Sequence, residues 1–190
     1  FRSLFQEARY EMIVQLDDDV ICVSRKIAER AKGIFERNPT VKQIVSDVVQ
    51  DAFTSGARPG MENYKTINKA DCLYDGPIDG WFSIYHRSIL PVLMEAPYEK
   101  YFYLGSWVRG RLPSMGMQGL LCTQFKVFHA TGSAYAQLFG LLEFEVQKYR
   151  SIGRHQMADS YAASIVGPDL IQQMSKRYED IQKELDAFGV

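Results

Sequence analysis

Three carboxylates, Asp17, Asp18 and Asp19, end the short apolar run Met12-Ile13-Val14-Gln15-Leu16. Such a run reads as a buried strand, which puts the acids at its C-terminal end. Adjacent anions repel one another, so folding them together is costly unless a cation lies among them. The carboxyl edge of an α/β sheet is also where such folds place their ligands. If the strand direction persists, Asp17 and Asp19 point to one face and Asp18 to the other. A magnesium or manganese ion suits that geometry, held by one or two carboxylates with substrate phosphates and water in its other positions. The alternative is an acidic surface turn. His129 bears on the choice, because it closes another strand-like segment and a neutral imidazole is a good third ligand for manganese. Taken alone, it reads as a strand-end histidine that hydrogen-bonds locally.

These residues need elements to position them. Leu4, Phe5 and Ala8 give a helix that leads into a strand over 12–16. After the acids, Ile27, Ala31, Ile34 and Phe35 mark one face of a helix over 23–37, which Asn38-Pro39 ends. Val41, Ile44, Val45, Val48, Val49 and Ala52 carry helical spacing over 40–53, although the β-branched pairs also allow a strand over 43–49. A Gly-rich loop is expected over 54–63, and strands over 70–74, 80–86 and 124–129. Ser88 is the expected N-cap of a helix to Ala96, and 98–112 is expected to be helical in part. Helices then follow over 133–150, 154–165 and 168–188. In the last of these, Ile171, Met174, Tyr178, Ile181, Leu185 and Phe188 repeat at intervals of three and four. That seam either packs on its own domain or forms a homodimer contact.

At 190 residues, with 46% hydrophobic and 13% aromatic content, the chain has enough apolar surface for one buried core. A net charge of −1 excludes a generally cationic nucleic-acid surface, so attraction to phosphates must be local. Cys22, Cys72 and Cys122 are odd in number and match no zinc spacing, which fits reduced thiols in a cytoplasmic protein. No apolar stretch is long enough to span a bilayer. The chain starts at Phe1 within a helical pattern and reads as a fragment of a longer protein.

The order of motifs is strand, Asp17-Asp18-Asp19, helix; then Ile78-Asp79-Gly80-Trp81-Phe82-Ser83-Ile84-Tyr85-His86-Arg87-Ser88; then Val127-Phe128-His129-Ala130-Thr131-Gly132. Over roughly residues 4–135 this resembles the second half of a GT-A-fold nucleotide-sugar glycosyltransferase, closest in style to family 2. The resemblance implies a Rossmann-related mixed α/β sheet flanked by helices over 1–135. A helical C-terminal tail over 136–190 would pack on the same domain. In that family a D-x-D motif holds a divalent metal on the donor diphosphate, and a late histidine completes the site. By position, Asp17, Asp19 and His129 become ligands of Mn2+ or Mg2+, and Asp17, Asp18 and Asp19 contact the diphosphate. Gly80 to Tyr85, with Trp81 on the donor side, line the cleft. The implied activity moves a sugar from a nucleotide diphosphate-sugar, UDP in the first instance, to an acceptor the sequence does not name.

Two features depart from that pattern. The strands that bind the nucleotide base in this fold are not in the chain. Inverting members also carry an acidic pair where this chain has Ser106 and Trp107, within Tyr98 to Arg109. An inverting transfer needs a base for the acceptor hydroxyl, and Asp79 and Glu99 are the nearest carboxylates. Otherwise the reaction retains configuration, with Arg109 and Arg111 steadying the leaving diphosphate. A third option is a non-catalytic protein that binds manganese and nucleotide. A fourth is a phosphatase of the haloacid dehalogenase type, with Asp75 and Asp79 as its later acids. Against it, Ile21 stands where that family has Thr or Val, and Lys65 and Lys69 are poor matches to its lysine.

Overall fold

Among the described residues, seven strands form one mixed sheet in the computed structural model, which describes residues 2–17, 19–22, 24–49, 58–97 and 104–186. The strands are β1 (Met12–Leu16), β2 (Val20–Cys22), β3 (Val41–Val49), β4 (Lys65–Asn68), β5 (Leu73–Asp75), β6 (Phe82–His86) and β7 (Gln118–His129). The helices are α1 (Arg2–Glu7), α2 (Ile27–Arg37), α3 (Leu90–Glu95), α4 (Leu104–Arg111), α5 (Ser133–Leu138), α6 (Leu142–Ser151), α7 (His155–Ala163) and α8 (Pro168–Asp186). The expected α/β class with a mixed sheet flanked by helices is therefore present.

The sheet order is β1-β6-β3-β7-β5-β4, with β2 pairing to β7 off this path. β6 is antiparallel to both β1 and β3, and β3 is parallel to β7. β1, β3 and β7 therefore run in one direction and end on one edge of the sheet. The register aligns Gln15 with Ser83 and Ser83 with Val45, and it aligns Ile13 with Tyr85 and Tyr85 with Gln43. On that face Ile13 and Tyr85 join a core with Phe5, Ile89, Val92, Leu93, Leu104, Val108 and Leu112. The opposite face carries Ile84 and His86, and Phe35 of α2 meets the His86 ring edge-on.

The described residues divide into two compact units, one reaching Val49 and running again from Arg58 to Phe128, the other from His129 onward. In the second, Ala136, Val146, Ala158 and Tyr161 form a core with Leu142 and Tyr149. On the α8 seam Met174 and Ile181 are buried, and Tyr178 meets the Phe139 ring; Phe188 and the Leu185 side chain lie outside the described residues.

Several elements differ from expectation for physical reasons. The 40–53 segment is the strand β3, whose residues are buried at nearly every position; a strand covered on both faces loses its period-two signature. The helix expected over 23–37 starts only at Ile27, because Ser24 still pairs with Lys126, its N–H donating to the Lys126 carbonyl at 3.1 Å. Ser88 does not cap α3. A 3-10 turn over Arg87–Ile89 comes first, and His86 Nδ1 accepts the Ser88 N–H at 3.2 Å. The strand expected over 70–74 is displaced to β5 because Asn68 Oδ1 accepts the N–H groups of Ala70 and Asp71 and forms a turn there. The helix expected over 133–150 breaks at Gly140, which has φ +70°. Val23 and the loop through 54–57 lie outside the described residues.

Candidate metal centre

β1 delivers the first acid. The Asp17 N–H donates to the Trp81 carbonyl at 3.1 Å, tying the end of β1 to the residue that precedes β6. The Val20 N–H then donates to the Asp17 carbonyl at 3.3 Å, which ties the start of β2 to the end of β1 next to Asp19. β7 delivers the imidazole, since His129 is its last residue, one past the Val49–Phe128 rung. Beyond it Gly132 has φ +111°, a backbone that L side chains rarely adopt, and the chain enters α5.

Asp17, Asp19 and His129 each offer one ligand atom, and these atoms lie within 4.8 Å of one another. All three residues are half-buried. Two carboxylate oxygens and one imidazole nitrogen form a donor set that manganese or magnesium accepts, with room for oxygen ligands from a substrate. Partial burial also raises the cost of two neighbouring anions, which a cation relieves. The residues present thus fit a divalent ion. Asp18 lies outside the described residues.

Asp79 stands in the loop between β5 and β6, where its Oδ1 accepts the Gly80 N–H at 2.8 Å. Trp81 is buried, and its indole N–H donates to the Ser46 carbonyl at 2.9 Å. Arg109 pairs with Asp75 at 2.6 Å. Arg111 pairs with Glu95 at 3.5 Å and lies over the Trp107 ring. On α4, Ser106 is exposed and Trp107 half-buried. Glu99, with the rest of 98–103, lies outside the described residues. A pocket of about 100 Å3, lined by Glu11, Met12, Lys32, Phe35, Glu36 and His86, sits at the opposite end of β1 from the acids.

The segment expected to line the cleft is instead buried from Trp81 to Tyr85, and the burial of other polar groups near this loop escaped the sequence reading. Gln15, Gln43 and Tyr85 are buried in the sheet, and Tyr85 O–H donates to Gln15 Oε1 at 2.8 Å. Burial pushes the Tyr85 phenol well above its ordinary range, and the Asp17 and Asp79 carboxylates push it the same way. Both acids therefore act on one buried hydroxyl. Asp47 is buried in β3 between Arg58 and Lys126. The available signal was a polar residue inside an apolar strand run, which solvent-facing alternation mimics.

The chain matches no family model, no curated protein and no solved structure. Its functional reading rests on the geometry of this site.

Proposed function

We propose that this chain is a metal-dependent glycosyltransferase domain. On this reading it binds a nucleotide diphosphate-sugar, with UDP as the first nucleotide to test, and transfers the sugar to an acceptor hydroxyl. The observation that carries the reading is the convergence of Asp17, Asp19 and His129 within 4.8 Å at the ends of two strands that run in the same direction. Ligand sites of open α/β sheets favour that edge. Asp17, Asp19 and His129 would hold Mn2+ or Mg2+. When bound, the ion supplies positive charge to the diphosphate and so makes it a better leaving group.

The chain's own residues have separate parts. Asp79 takes the acceptor hydroxyl proton, since α4 offers Ser106 and Trp107 where inverting enzymes carry acids. Its carboxylate is oriented by the Gly80 N–H, and the tie between Asp17 and the Trp81 carbonyl keeps its loop beside the metal ligands. A second reading, a non-catalytic protein that binds metal and nucleotide on the same fold, is favoured by those same Ser106 and Trp107 positions.

Release of free sugar from a panel of UDP-sugars with Mn2+ separates the two. An enzyme gives slow, metal-dependent hydrolysis that falls by roughly 100-fold or more in Asp79→Asn. A binding protein gives none. Hydrolysis of a generic phosphoester, abolished in Asp17→Asn, would instead transfer the site to the dehalogenase class.

A further inference from the structure

Beneath the Asp79–Trp81 loop the sheet buries polar side chains where apolar ones would pack at lower cost. Gln15 is 8% exposed, and Tyr85 and Gln43 are 0% exposed. They share one face of β1, β6 and β3, because Tyr85 pairs in register with Gln43 and with Ile13, two residues from Gln15. The Tyr85 hydroxyl donates to Gln15 Oε1 at 2.8 Å, and Gln15 Nε2 donates to the Gly80 carbonyl at 3.2 Å.

A primary amide has an accepting end and a donating end. The phenol at one end dictates that the nitrogen faces Gly80; reversed, the amide would set two oxygens against each other there. Tyr85 keeps its proton, since burial and two nearby carboxylates all disfavour the phenolate. Support also comes from β3, where Gln43 Nε2 donates to the Gly105 carbonyl at 3.0 Å. Gly105 abuts the loop so tightly that a Cβ there would lie 2.8 Å from Asp79 C and from Gly80 N.

We propose that Tyr85 and Gln15 are positioning residues: the buried Tyr85–Gln15–Gly80 relay holds the loop that carries Asp79 in place beside the Asp17 end of β1. This rests on the reading of Asp79 as the group that takes the acceptor proton. It assigns a task to buried polarity that a purely structural sheet would not need.

The test uses Tyr85→Phe, which removes one oxygen, and Gln15→Met, which keeps volume but not the amide. Amide and indole hydrogen exchange is read at the Asp17 N–H and the Trp81 indole N–H. Exchange at both is expected to rise about tenfold in each variant, the worth of one neutral hydrogen bond. Protection in α2 is expected to be unchanged. The double variant is expected to add little to either single one. Unchanged exchange at the loop would overturn the proposal, and so would a uniform rise across the first unit.

In parallel, UDP-sugar turnover is expected to lose about tenfold in kcat, with KM and Mn2+ affinity within about twofold. Loss in KM alone would also overturn the positioning role. If the wild-type protein turns over no UDP-sugar, the glycosyltransferase reading fails by itself, and the exchange measurements still decide whether the relay holds the loop.

Discussion

Two half-buried carboxylates and an imidazole within 4.8 Å make a site whose parts contribute unequally. On the proposed reading the acids would supply the charge that a hard cation needs, while the imidazole would supply a softer third donor that favours manganese over magnesium. His129→Ala should therefore weaken Mn2+ binding by about 10- to 100-fold and Mg2+ binding less, measured by isothermal titration with each ion. Equal losses for the two metals would remove His129 from the ligand set. The acids were legible in the sequence because three adjacent anions are an electrostatic anomaly anywhere in a chain. The burial of Gln15 and Tyr85 was not, since a polar atom in a strand looks like ordinary solvent-facing alternation until the register puts both side chains on the covered face of the sheet, opposite the exposed Val14 and Leu16.

Each element is held by a few ties whose removal has a calculable direction. Asp47, buried in β3, has Arg58 and Lys126 as partners. Asp47→Ala should cost about 3–5 kcal/mol by leaving the largely buried Arg58 cation without its anion, read from the shift in a urea midpoint. Gly105→Ala sets a methyl against the backbone of Asp79 and Gly80. A cost of about 1–3 kcal/mol is expected, with loss of the loop's amide protection before global unfolding.

The turn between β4 and β5 is tied to α2 through Asp71. Its carboxylate accepts from Arg37 Nε at 3.1 Å and from Asn38 Nδ2 at 2.8 Å, and the Arg37 hydrogen bond holds its pKa below the ordinary 3.8. A depressed carboxylate pKa adds stability above the unfolded value, and that stability is lost as pH falls through the folded value. Asp71→Asn should therefore lower the urea midpoint at pH 7, and its difference from wild type should shrink steadily below about pH 4. A constant difference down to pH 2 would rule out the linkage. Among these elements, β1 was readable because one face alternates, whereas β3 presented a helical period by accident of its paired β-branched residues. β4 was missed because Lys65-Thr66-Ile67-Asn68 is largely exposed and carries no core signal.

For the chain as a whole, the sheet sets what the site can do. Direction reverses at β6 and is restored at β3, so the ends of β1 and β7 come to one edge although more than a hundred residues separate their acids and imidazole. No local pattern encodes that meeting; it follows from strand pairing, which is why Asp17, Asp19 and His129 were each legible as candidates but only a resemblance could join them. Among the described residues no helix is long and apolar enough to cross a membrane.

A bound cation stabilises the folded chain by mass action, about 2.7 kcal/mol at a hundredfold excess over its dissociation constant. Calorimetric titration of Mn2+ with and without UDP, in the wild-type protein and in Asp19→Ala, therefore asks the decisive question. The site predicts coupled binding, with UDP tightening Mn2+ and Mn2+ tightening UDP by the same factor, and loss of that coupling in Asp19→Ala. UDP binding that ignores Mn2+, or coupling that survives Asp19→Ala, would contradict it.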